Sequence, residues 1–156
     1  MTSVRATLAL LLVLLATNAH AQGSRPVSLD DDFVRRMLDE ALDRLGRLRC
    51  EDAQPCAPAT AAERRNPPIT IGEARAIMNR GILSGAALRC GLDWQRRNFM
   101  PMMAYWRYDM KKTERQMALV GALHGMMQGF VNDRPHEQVC TDALRQTVEQ
   151  GLSFRP

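Results

Sequence analysis

From Met117 to Val131 the chain reads MALVGALHGMMQGFV, and its only polar side chains are His124 and Gln128. A helix apolar on nearly every face is stable only when other elements surround it. The segment therefore predicts a central helix around which the rest of the chain must wrap. Thr113-Glu-Arg-Gln116 supplies its start, because a threonine followed three residues later by glutamine satisfies two orphan backbone donors reciprocally. Asn132 and Asp133 end it. Pro135 then favours a last helix over about residues 135–151, with His136 in its exposed first turn and Val139, Cys140, Ala143, Leu144, Thr147 and Val148 inward.

The elements expected to wrap it are punctuated in the same way. Ser28-Leu-Asp-Asp31 opens a first helix with Ser28 as cap, and Val34, Met37, Leu38, Ala41, Leu45 and Leu48 recur at intervals of three and four. Its other face places Asp31/Arg35, Asp32/Arg36, Glu40/Arg44 and Asp43/Arg47 one turn apart, acid first, as a solvated face does. Residues 51–68, EDAQPCAPATAAERRNPP, are proline-rich and read as a connector. Thr70-Ile-Gly-Glu73 opens a second helix after Ile69, with Ala74, Ile77, Met78, Gly81, Ile82, Gly85 and Leu88 inward.

A glycine costs a helix interior about 1 kcal/mol against alanine, so Gly81 and Gly85 predict a close backbone approach. Gly121, Gly125 and Gly129 repeat the spacing of four on the central helix, and the two glycine faces are expected to meet. Pro101 removes a helical hydrogen bond, which predicts a break near Asn98 and a short helix from about Pro101 to Met110. No stretch sustains period-two alternation. The expected fold is all-α, a single-domain bundle of about five helices.

Residues 1–21 follow the order of a secretory signal peptide: Arg5, an apolar run from Leu8 to Ala16, then Ala19-His20-Ala21 as a small-x-small cleavage site. The run is short for a bilayer span, which takes roughly 20 apolar residues, and no second run follows. The expected mature chain, residues 22–156, has no membrane span and resides in a periplasm or outside the cell. Its four cysteines, Cys50, Cys56, Cys90 and Cys140, then read as two disulfides bracing the bundle. Three pairings are possible, and the preferred one joins Cys50 to Cys56 across CEDAQPC and Cys90 to Cys140. Zinc is the competing reading, but no CxxC pair or zinc-type Cys/His spacing is present. The net charge of +4 is small and the basic residues are interleaved with acidic ones, unlike the clustered footprint of a nucleic-acid partner.

Two groups of residues are candidates for function. Arg89, Asp93, Trp94, Arg96 and Arg97 concentrate before Pro101, and guanidinium forks beside an indole suit a carboxylate, a phosphate or a protein partner. The plainer reading has Asp93 cap a helix over Trp94, with the arginines in solvent. Met100, Met102, Met103, His124, Met126 and Met127 form the other group. Thioether ligands select Cu(I), yet methionine is also an adaptable core filler, and a histidine in such a helix is more often a hydrogen-bonded core residue than a ligand. No GxSxG, HExxH, P-loop or dinucleotide fingerprint occurs, so no catalytic residue is assigned. The sequence thus predicts a small exported helical binding or interaction protein without a cofactor, its partner a protein or a small anionic ligand of the cell envelope. A copper or other soft-metal binder is the alternative, and an enzyme with an unorthodox site the third reading.

Overall fold

The computed structural model describes residues 29–50, 53–133 and 139–156. The expected signal peptide, the Ser28 cap and His136 lie outside the described residues. Six α-helices and no strand occur among them: α1 (Asp31–Arg44), α2 (Ala61–Arg65), α3 (Ile71–Arg89), α4 (Met100–Ala104), α5 (Glu114–Asn132) and α6 (Asp142–Leu152). No helix among the described residues is long and apolar enough to cross a membrane.

The central element is α5. Its Met117, Leu119, Val120, Leu123 and Met127 are buried in one cluster with Val34, Leu38, Ala41 and Leu42 of α1 and Ala74, Ile77 and Met78 of α3. Thr113 caps it by accepting from the Gln116 N–H, while the Gln116 side chain accepts from the Thr113 N–H at 2.9 Å. Thr70 and Glu73 close the same reciprocal box on α3.

At the start of α1 the cap is Asp30, whose carboxylate accepts from the Phe33 N–H at 2.8 Å. A carboxylate there both bonds an orphan donor and meets the positive end of the helix dipole. Of the four ion pairs expected along α1, Glu40–Arg44 forms. Asp31 pairs instead with Arg75 of α3, and Asp43 with Arg64 of α2. The reason is proximity: Arg75 also donates to the Leu29 carbonyl at 3.0 Å, so α3 reaches the start of α1 and its guanidinium takes the nearest carboxylate.

The glycine faces do not meet as expected. A Cβ on Gly81 would lie 2.4 Å from the His124 carbonyl oxygen, and one on Gly85 would lie 2.7 Å from that of Gln128. Helix α3 therefore crosses α5 over residues 124–131. Gly121 and Gly125 face open space, and Gly129 has only the Asp133 carboxylate at 3.9 Å. One notched helix suffices for close approach, because the notch receives the main chain of its partner.

Pro101 does not break the chain's helical path either. Residues 94–109 stay helical, with α4 flanked by π-turns at Gln95–Phe99 and Tyr105–Asp109. In the first of these the Met100 N–H bonds to the Gln95 carbonyl five residues back, so the ladder has shifted before a residue without a donor arrives. The Arg97 carbonyl accepts from the Phe154 N–H at 2.8 Å, which ties the C-terminal tail to this turn. Met102 and Trp106 point inward, whereas Met110 is exposed.

Cys50 is bonded to Cys56 and Cys90 to Cys140. The connector is more ordered than its composition suggests. Thr60 and Glu63 form a capping box that starts α2, and Arg115 of α5 grips Glu63 through two nitrogens at 2.6 and 2.9 Å while donating to the Ala57 and Pro58 carbonyls. One planar fork holds Ala57, Pro58 and Glu63 together. Helix α6 starts later than expected, at Asp142, because the Thr141 hydroxyl accepts from the Leu144 N–H and caps it there. Cys140 precedes the helix, Val139 is exposed, and Val148 and Leu152 are the buried residues of α6.

Candidate functional site

Where α3, the first π-turn and α5 meet, four polar side chains are linked. Arg80 Nε donates to Asn98 Oδ1. Asn98 Nδ2 donates to the Arg80 carbonyl at 2.8 Å and to Ser84 Oγ at 2.7 Å, and Ser84 Oγ lies 2.9 Å from His124 Nε2. The member that can only donate orients the network: the guanidinium turns the Asn98 oxygen toward itself and the amide toward Ser84, and the Ser84 hydroxyl shares the last bond with Nε2 of the His124 imidazole. Burial first, and the Arg80 charge second, push its pKa down to about 4.

Ser84, Asn98 and His124 are all buried. A serine beside a histidine is the nucleophile and base of acyl transfer when substrate reaches it, but this pair presents no exposed face. Phe99 and Trp94 pack against the imidazole, with ring centroids 4.8 and 6.1 Å away. The remaining donors of Arg80 bond the Gly151 and Leu152 carbonyls at 3.2 and 2.6 Å, at the negative end of α6. Arg80 and Ser84 were legible as polar residues one turn apart beside Gly81 and Gly85, yet the apolar reading of that stripe passed over them.

The residues around the 89–97 turn hold helix ends. Arg89 donates to the Val131 and Asn132 carbonyls at the end of α5. Arg97 meets the Glu149 carboxylate of α6 at 2.8 Å and also its carbonyl. Asp93 accepts from the Arg96 N–H at 3.2 Å, and its side chain pairs with that of Arg96, which is 82% exposed. Trp94 packs against both Phe99 and His124, with ring centroids 5.9 and 6.1 Å away. The methionines divide between core and surface: Met102 and Met127 are fully buried, Met103 and Met126 pack partly buried against the core, and Met100 is 60% exposed. Among the described residues no group of three or more His, Cys, Asp or Glu is placed to hold a metal ion.

A charged concavity lies elsewhere. Between α1, the end of α2 and the start of α3 is a cleft of about 440 Å³, whose charged lining residues are Arg35, Arg64, Arg65 and Asp39. Arg64 pairs with Asp43. Arg35 and Arg65 have no ion-pair partner among the described residues. Pro67 and Ile71, half-buried, give the cleft an apolar wall. Its shape depends on α2: the Thr60–Glu63 box starts that helix, Arg115 anchors it, and Arg64 and Arg65 fall in its last turn, where cations are favoured. Arg115, followed by Thr60, holds the Glu63 carboxyl down at about 2. The sequence reading missed this site because residues 51–68 look structureless; the available signal was Thr60-Ala-Ala-Glu63 followed by two arginines.

Comparison with known proteins finds no matching family model, no similar curated protein and no similar solved structure.

Proposed function

We propose that this chain is a small exported helical binding protein that engages an anionic partner through the cleft between α1, α2 and α3. The observation that carries this reading is the placement of Arg35 and Arg65, neither ion-paired among the described residues, beside Arg64 in one concavity. Six other guanidinium groups are used internally: Arg75, Arg97, Arg107 and Arg115 meet carboxylates, and Arg80 and Arg89 meet helix-terminal carbonyls. Export is supported by two disulfides, which an oxidising compartment sustains, and by the leader-like order of residues 1–21.

The test is affinity capture from cell-envelope extract with immobilised wild type and with Arg35→Glu/Arg65→Glu, both verified as folded by circular dichroism. An anionic component retained by the wild type, released by salt and lost with the charge-reversed variant is the expected result. Equal recovery on the two resins, or no retention by either, overturns the proposal.

A further inference from the structure

We infer that the ligand of the Arg35/Arg65 cleft is a small amphiphilic organic anion, a carboxylate or phosphate head on a short apolar body. The inference rests on the binding reading above and adds the ligand's chemistry to it. Arg64 is neutralised by Asp43, which leaves Arg35 and Arg65 against the single lining carboxylate of Asp39, so an anion entering the cleft meets net positive charge. Planar guanidinium forks favour paired oxygens, as in carboxylate and phosphate, over a point anion.

The rest of the lining sets the body. Pro67 and Ile71 are half-buried over the fully buried Leu38 and Ile69, so one wall is hydrocarbon. A volume of about 440 Å³ lies in the lower part of the range of small-molecule sites. No aromatic side chain lines the cleft among the described residues, so the stacking surface that a nucleobase or flavin wants is missing. A short aliphatic chain needs only the Pro67/Ile71 wall.

Isothermal titration of the full mature protein at low ionic strength tests this with four probes: octanoate, octyl phosphate, 1-octanol and inorganic phosphate. The expected result is that octanoate or octyl phosphate binds about tenfold or more tightly than both 1-octanol and inorganic phosphate, since head and body each contribute. Which of the two amphiphiles binds more tightly identifies the head group. Arg35→Ala/Arg65→Ala is expected to weaken that binding about tenfold or more, and Arg35→Lys/Arg65→Lys, which keeps charge but loses the fork, by less. Octanol binding as tightly as octanoate overturns the inference, as does unchanged binding in the alanine variant. Failure of both amphiphiles to bind a wild type that still shows charge-dependent capture from extract overturns the ligand class alone and leaves an acidic protein surface as the partner. Failure of both experiments overturns the cleft as a binding site.

Discussion

Gly81 of α3 rests on the main chain of His124 of α5: a methyl group at position 81 would stand 2.4 Å from the His124 carbonyl oxygen, with Met127 Cβ at 2.9 Å. Backbone cannot yield as a flexible side chain does, so Gly81→Ala is expected to lower stability by roughly 2 kcal/mol through overpacking. Gly85→Ala acts in the same direction, against the Gln128 carbonyl and Val131. Gly125 is the internal control. Nothing lies within 4 Å of a Cβ there, so Gly125→Ala is expected to stabilise by about 0.5–1 kcal/mol through helix propensity. Urea denaturation of the three variants checks the ordering, and a destabilised Gly125→Ala beside a neutral Gly81→Ala would place the crossing on the wrong face of α5.

Arg80 joins three elements with one side chain, bonding Asn98 of the π-turn and the last carbonyls of α6 while its guanidinium lies 5.4 Å from the Phe154 ring centroid. Arg80→Met keeps the packing volume and removes the donors. Asn98 Oδ1 and the Gly151 and Leu152 carbonyls lose their partner, a cost of roughly 2–3 kcal/mol. Amide hydrogen exchange gives the sharper reading: the last turn of α6 and the Phe154 N–H are expected to lose protection, while α1 keeps its own. Uniform loss across all helices would mean that Arg80 supports the whole core rather than the docking of α6.

The two disulfides differ in the length of chain they close. Cys90–Cys140 spans a separation of 50 residues and Cys50–Cys56 a separation of 6. If cross-links act by restricting the unfolded chain, removal of the first costs about 4 kcal/mol and of the second about 2 kcal/mol. Serine pairs at each site, compared by denaturant midpoint, are expected to keep that order. The reverse order would show that the Cys50–Cys56 link, with the Arg115 clamp beyond it, fixes native geometry that the entropy argument ignores.

The helices were legible where a cap preceded an apolar stripe: Thr70 and Thr113 start α3 and α5 as their spacing predicts. The site was not, for two physical reasons. Propensity counts residues along the chain, whereas the short helix α2, started by its own Thr60–Glu63 box, is anchored by Arg115, far away in sequence; between prolines such a segment reads as connector. Hydrophobic periodicity also assigns faces without saying which neighbour each face meets. The expectation that Gly81 and Gly85 meet Gly121 and Gly125 fails because the α3 notch receives the main chain of α5, and the break expected at Pro101 does not form because a π-turn shifts the ladder before it.

Acid should weaken the protein through His124. With the folded-state pKa at about 4 against an ordinary 6.5, the unfolded chain takes up a proton first as pH falls. Stability from this group is therefore complete above pH 6.5 and declines between 6.5 and about 4, by roughly 3 kcal/mol in all. Glu63 acts in a lower window. Its carboxyl is held at about 2 against 4.5 by Arg115 and Thr60, so its contribution is complete above pH 4.5 and is lost as pH falls toward 2. The windows separate by mutation. His124→Gln keeps a side-chain hydrogen-bond partner for Ser84 without an ionisable ring, and is expected to flatten the dependence between pH 6.5 and 4 while leaving the lower decline intact. Urea midpoints measured from pH 8 to pH 3 check this. A wild-type slope persisting in the variant between pH 6.5 and 4 would assign the acid sensitivity to other groups and remove His124 from the account.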